Sequence, residues 1–412
     1  MRESSVLTTD SQRTGSSDLL RSVIAIVAIC YLVLVVFLEG RAAYNPLADP
    51  VSLGLIPSIA SFGVLALAVI LVIVSIGDTR VKLEAFHLVV VVFGMYYSLA
   101  RFYHDGIAAA APALMATFTL VGFALKVPGE ERYLPIVRAL LRAVVLGSFL
   151  AAVFNPAWAL VPEGVSERSV FGLETRLIGL STSPNYIAVV AVLLFCFELS
   201  GALIRRAFNM ANAGFASLAV IVAVWAQSRG VLMAMFVIAL IAAFSRAGYK
   251  FARRSVLVSW LFLGFACLIV VGASVGAMVD DEVNELTTGR ISIWSNILRN
   301  FASFLWFGAS SRDALLIQNE AGNAHNGYLE ALISGGVGFL LLTILLLVVV
   351  SYTILAGGER AALAGMLFLF IAVQFAFGTP LRAFSLSWNF VVLVLLVGEC
   401  GRCLLVSRVR QL

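Results

Sequence analysis

Apolar runs long enough to cross a lipid bilayer recur along this chain from one end to the other. A helix needs about 17–25 such residues to span a hydrocarbon core of ~30 Å. Within that core every backbone N–H and C=O must be satisfied internally, which leaves helices or closed barrels. The alternating ten-residue segments of a barrel are not visible, so the runs predict an all-α polytopic membrane protein. Composition agrees: 61% of the residues are hydrophobic and 12% charged, against roughly 25% charged in a soluble domain.

About twelve transmembrane helices are expected, at 22–38, 54–76, 86–100, 108–125, 137–154, 184–200, 211–227, 229–245, 256–278, 331–350, 361–378 and 386–404. An even number puts both termini on one side. With the N terminus cytoplasmic, the inner segments hold eighteen Lys and Arg and the outer segments nine, and every Lys is inside. That bias follows the positive-inside rule. The chain then divides into a cytoplasmic tail (1–21), membrane helices (22–278), an extracytoplasmic loop (279–330), membrane helices (331–404) and a second tail (405–412). The first apolar run is followed by Glu39-Gly40-Arg41 rather than a small-residue cleavage site, so a retained helix is expected, not a signal peptide.

The net charge of +5 carries no basic cluster interleaved with aromatics, so no nucleic-acid partner is indicated. The five cysteines fall in apolar spans or near the C-terminal end, which implies no extracytoplasmic disulfide framework. Cys400 and Cys403 form a CxxC without the second pair that a metal site would need.

Residues able to do chemistry gather at the expected outer boundary. His325 ends a polar loop, Asn323-Ala324-His325-Asn326-Gly327-Tyr328-Leu329-Glu330, where the chain re-enters an apolar run from Leu332 to Val350. A titratable imidazole at such a lip is a candidate proton acceptor; the alternative is a capping or interface histidine. Arg229, in Gln227-Ser228-Arg229-Gly230, lies between two spans with almost no loop. An arginine there either snorkels or meets a partner. Arg290 precedes an amphipathic pattern of Ile291, Trp294, Ile297, Phe301 and Phe304, expected as a helix lying in the membrane interface. Guanidinium forks hold phosphate oxygens bidentately and stay charged near neutral pH, so a pair suits a diphosphate. His87 and His104 are expected to be polar interface residues. Asp280-Asp281-Glu282 lacks the spacing of a metal loop and reads as a solvated charge run, so no metal is expected.

Four pieces in order resemble the bacterial O-antigen ligases and the related surface-polysaccharide polymerases. They are Arg176-Leu177-Ile178-Gly179-Leu180 with Ser183-Pro184-Asn185; Ser228-Arg229-Gly230; Gly289-Arg290-Ile291-Ser292-Ile293-Trp294; and His325-Asn326-Gly327-Tyr328-Leu329 followed by Gly335-Gly336-Val337-Gly338. The motifs fall within 172–340, and the expected topology covers nearly the whole chain. The resemblance implies a GT-C-like fold and a metal-independent, cofactor-free, inverting glycosyltransferase on the periplasmic face of a bacterial inner membrane. Its donor would be a glycan on undecaprenyl diphosphate. Its acceptor would be a sugar hydroxyl on the lipid A core for a ligase, or on a lipid-linked glycan for a polymerase. The compact 279–330 loop leans toward the ligase.

The same resemblance makes His325 the general base, kept neutral by the two arginines, and Arg229 and Arg290 the diphosphate clamp. Arg176, Asn326, Trp294 and Arg382 become further substrate-binding residues, with Trp294 and Phe301 on one wall of a lipid path. The other class is a lipid-linked oligosaccharide transporter. Such carriers show repeats, interrupted helices and ionisable residues deep in spans. Here the spans hold few charges, Arg142 and Glu198 being the exceptions and both near helix ends, and the notable residues gather at one face, which disfavours a carrier.

Overall fold

The computed structural model describes residues 19–33, 50–76, 83–125, 133–161, 175–181, 183–205, 209–245, 247–275, 290–317, 324–378 and 388–409. Among these, regular structure is helical apart from one antiparallel bridge, Leu160 with Leu177. The first half comprises α1 (Leu19–Val33), α2 (Pro50–Ile76), α3 (Ala85–Asp105), α4 (Ile107–Ala124), α5 (Tyr133–Phe154) and the single turn α6 (Pro156–Ala159). Then come α7 (Pro184–Arg205), α8 (Met210–Ala226), α9 (Arg229–Ala243) and α10 (Gly248–Val275). Two short helices, α11 (Arg290–Arg299) and α12 (Ser311–Ile317), precede α13 (Gly327–Ala356), α14 (Ala362–Phe377) and α15 (Trp388–Val409).

Eight of these are long and apolar enough to cross a membrane: α3, α4, α5, α7, α10, α13, α14 with its leading 3-10 turn, and α15. Four shorter apolar helices, α1, Phe62–Ile76 of α2, α8 and α9, stand where the other four spans are expected. At 1.5 Å per residue, the fifteen residues of α9 cover only about 22 Å.

The interior is built from α7, α14 and α15. Every residue of α14 from Ala362 to Ala376 is buried. It packs chiefly on α10, where small side chains let the backbones approach: a Cβ on Gly365 would lie 3.3 Å from the Ala252 Cα. Lipid tails are as apolar as leucine, so close packing of this kind, rather than escape from water, holds helices together in a membrane. The outer faces of α5 and α10 stay apolar and open, with Leu146, Leu150, Leu257, Leu261 and Leu268 exposed.

One expected span differs. The run from Leu332 to Val350 is not a single helix, because α13 breaks at Gly335 (φ −160°, ψ 17°) and Gly336 (φ 70°, ψ −165°). The strap between α11 and α12 docks into that break. The Ala309 N–H donates to the Ile333 carbonyl at 2.7 Å, and the Val337 N–H donates to Leu305 at 2.8 Å. A Cβ at Gly336 would lie 2.4 Å from the Trp306 carbonyl, so side chains are excluded there for space as well as for φ. The Tyr96 hydroxyl of α3 also donates to the Trp306 carbonyl, at 2.6 Å.

The amphipathic helix is shorter than its apolar spacing suggests. It ends at Arg299, because Asn300 (φ −92°, ψ 5°) leaves the helix and its carbonyl accepts from the Ser303 N–H and hydroxyl. Residues 301–304 continue as a 3-10 turn. His87 fills a capping role on α3, its Nδ1 accepting from the Glu84 N–H at 3.0 Å. Cys400 and Cys403 are free and buried inside α15.

Candidate functional site

Two tight turns meet at the C-terminal end of α14. One leads into α13 and carries His325; the other joins α8 to α9 and carries Arg229. A Cβ on Gly327 would fall 2.3 Å from the Phe375 ring, and one on Gly230 would sit 3.5 Å from Gln374 Nε2 and 3.6 Å from the Phe377 Cβ. The glycines of both motifs therefore serve one purpose: they let each turn lie against the same helix end.

In the first turn, His325 is half-buried with φ 50°, a left-handed conformation uncommon outside glycine. Asn326 follows as the N-cap of α13. Its Oδ1 accepts from the Tyr328 and Leu329 N–H groups at 3.0 and 3.3 Å, and its Nδ2 donates to the Ala266 carbonyl of α10 at 3.2 Å. Asn326 is fully buried, with both side-chain polar atoms engaged. The Tyr328 hydroxyl adds a bond to the Leu263 carbonyl at 3.1 Å, and its ring packs 5.3 Å from that of Phe375. The imidazole thus stands on a base tied to α10, α13 and α14.

In the second turn, Gln227 caps α8 in the left-handed region (φ 55°) and Ser228 opens α9. The strip 175–181 clasps this corner. Arg176 donates Nε and Nη2 to the Ala226 carbonyl at 3.2 and 3.1 Å, the Gln227 Nε2 donates to Thr175, and the Leu177 N–H donates to Trp225. The strip is itself bonded to the α5–α6 corner, Ile178 and Gly179 both donating to the Ala159 carbonyl. Gly179 (φ 62°) is obligatory, since a Cβ would fall 2.4 Å from that of Ser148. Ser183 then caps α7, which starts at Pro184 as the Pro-Asn pair suggests. Arg176 so braces the corner whose outer residue is Arg229.

Arg290 is the first residue of α11. Burial, and then the nearby Arg229 charge, push its guanidinium below the ordinary arginine range. Two arginines 61 positions apart in sequence are thus close enough to repel. Among the described residues neither makes an ion pair with a carboxylate. Helix α11 buries Ile293, Trp294 and Ile297 against Leu329, Leu332 and Ile333 of α13. The Trp294 indole donates to the Ala324 carbonyl, one residue before His325, at 2.6 Å. One tryptophan therefore couples the Arg290 helix to the histidine turn.

Arg382 and Asp280-Asp281-Glu282 lie outside the described residues. Two buried polar residues near the site were not singled out from the sequence. Gln374, alone in the apolar run of α14, reaches toward Gly230 and Gly378. Glu330 is buried in the first turn of α13. A polar residue inside a span was the available signal for Gln374.

Residues 214–344, which contain the Arg229 turn, α11 and the His325 turn, match the family model described as O-Antigen ligase. No curated protein matches the chain.

Proposed function

We propose that this chain, whose residues 214–344 match the O-Antigen ligase family model and which has eight helices able to cross a membrane among its described residues, is a glycosyltransferase of the ligase type. It takes a glycan from undecaprenyl diphosphate and joins it to a sugar hydroxyl of the lipid A core on the periplasmic face. The observation that carries this reading is the Arg229–Arg290 pair: two guanidiniums held within electrostatic reach of each other without a counter-carboxylate among the described residues. Such a pair is repulsive when empty and is relieved by a multiply charged anion, which a lipid diphosphate supplies.

The chemistry follows from these groups. The acceptor hydroxyl is a weak nucleophile until its proton moves to a base within about 3 Å, and the His325 imidazole takes it. The freed oxygen attacks the anomeric carbon from the side opposite the diphosphate. The glycosyl C–O bond breaks with its electron pair going to the phosphate oxygen, and the configuration inverts. Charge develops on the departing diphosphate, and the Arg229 and Arg290 guanidiniums offset it. Asn326 and Trp294 act as positioning residues, one setting the turn and the other coupling it to α11. Arg176 braces the arginine corner.

The test is transfer in reconstituted vesicles from a synthetic undecaprenyl-diphosphate glycan, with EDTA present. Wild type should move glycan onto lipid A core, and His325→Ala should lose about 10²–10⁴-fold in rate. Undiminished transfer by a folded His325→Ala protein would remove the base. Longer lipid-linked glycans as product would make the enzyme a polymerase with the same donor site, and inhibition by EDTA would overturn the metal-free mechanism.

A further inference from the structure

Away from the transfer site, the membrane bundle holds a second charged cluster. Glu198 of α7 is fully buried and takes both Arg138 and Arg142 of α5. Arg138 donates Nε to Oε1 at 3.0 Å and Nη2 to Oε2. Arg142 donates Nε to Oε1 at 2.7 Å and Nη2 to Oε2 at 2.9 Å. The Asn212 Oδ1 of α8 accepts from both Nη2 groups, at 2.6 and 3.4 Å, and the Arg142 guanidinium lies 4.4 Å from the Phe215 ring centroid. Asn212 is near the start of α8 and Ala226 is its last residue, so the cluster lies about 21 Å along that helix from the Arg229 corner.

The charges do not cancel. Among the described residues two guanidiniums share one carboxylate and a neutral amide, leaving one positive charge inside a span, where an unpaired ion is costly. Neither Nη1 has an acceptor among the described residues, and the two arginine side chains remain 18% and 27% exposed. Space is left beside one of them. Gly201, one turn beyond Glu198, has nothing within 4 Å of a would-be Cβ except the Arg138 Nη1, at 3.9 Å. Helix α5, which carries both arginines, is among the least buried of the spans and so keeps an apolar face for lipid.

We propose that this notch between α5 and α7 binds the phosphate of an anionic glycerophospholipid, seated on Arg138 and Arg142. A phosphodiester supplies the missing negative charge and acceptors for both Nη1 groups, while its acyl chains lie along the apolar face of α5. A soluble anion has the same headgroup chemistry but no apolar route to arginines in a span. Basic pockets between membrane helices are suited to such headgroups.

The full-length protein is reconstituted in nanodiscs of phosphatidylcholine with or without phosphatidylglycerol. Co-purified lipid is counted and the melting midpoint followed for wild type, Arg138→Gln, Arg142→Gln and Gly201→Leu. Each arginine variant leaves Glu198 one guanidinium and removes the surplus charge; Gly201→Leu keeps all three charges and fills the notch. Wild type should retain phosphatidylglycerol preferentially and melt higher with it, and each variant should lose that preference roughly five-fold. If an arginine variant does not fold, Gly201→Leu decides alone. No preference in wild type, or an equal one in Gly201→Leu, overturns the site. Inorganic phosphate reproducing the wild-type shift in detergent overturns the lipid and leaves a soluble anion. None of these readouts involves glycan transfer, so this proposal and the transfer reading fail separately.

Discussion

His325, Asn326 and Gly327 divide one task. Asn326 satisfies two of the N–H groups that a helix start leaves without partners and ties the turn to α10. Asn326→Ala should lower stability by about 1–2 kcal/mol and reduce transfer beyond what that loss explains, seen by comparing melting with initial rates. Gly327 gives way to Phe375: a Cβ 2.3 Å from the ring forces one of them to move. Gly327→Ala should therefore expel His325 from its place and abolish transfer, and adding Phe375→Leu should restore part of the activity. No restoration in a folded double variant would show that the glycine serves something other than this approach. His325 was singled out in the sequence as the candidate base; the structural roles of Asn326 and Gly327 were not legible there.

At the scale of elements, α11 connects the proposed clamp to the proposed base. Its N-terminal residue is Arg290, and its Trp294 holds the Ala324 carbonyl. Trp294→Phe keeps most of the buried area and deletes the donor. It should cost about 1 kcal/mol of stability while reducing kcat about ten-fold with little change in donor KM, as a displaced but intact base would. A pure rise in KM would assign Trp294 to substrate contact instead. The broken α13 has a similar logic. Interrupted helices in membranes are tolerated where other groups take up the freed backbone, and here the strap 305–309 does so on both sides of Gly335-Gly336. The break is filled by protein and does not by itself open a transport path. The GGVG string was legible in the sequence, but the strap that docks there was not, because its bonds come from backbone groups, which residue identity does not encode.

Over the whole molecule, the two clusters are organised oppositely. At the proposed transfer site two arginines stand without a carboxylate among the described residues, whereas Arg138 and Arg142 share a buried one. Removing the shared partner leaves like charges facing each other. Glu198→Ala should destabilise the protein by about 3 kcal/mol, the low end for a broken buried pair because both arginine tips remain partly exposed. A melting temperature in detergent unchanged from wild type would mean that the cluster contributes nothing to the bundle. Loss of stability with transfer per folded molecule preserved is the outcome expected of a site remote from the chemistry.

The helical class and the positions of the apolar segments follow from composition and run length alone, and motif order singles out His325, Arg229 and Arg290. In hydrocarbon the backbone has few alternatives, so a run of apolar residues already names its secondary structure. What could not be read locally is every relation between segments: Arg290 feeling Arg229, Trp294 reaching Ala324, Gly230 and Gly327 lying on one end of α14, and Arg142 meeting Glu198. Those depend on which helix faces pack together. With lipid as apolar as the helices, that choice rests on small residues and polar contacts spread across distant parts of the chain, and the tertiary structure alone brings them side by side.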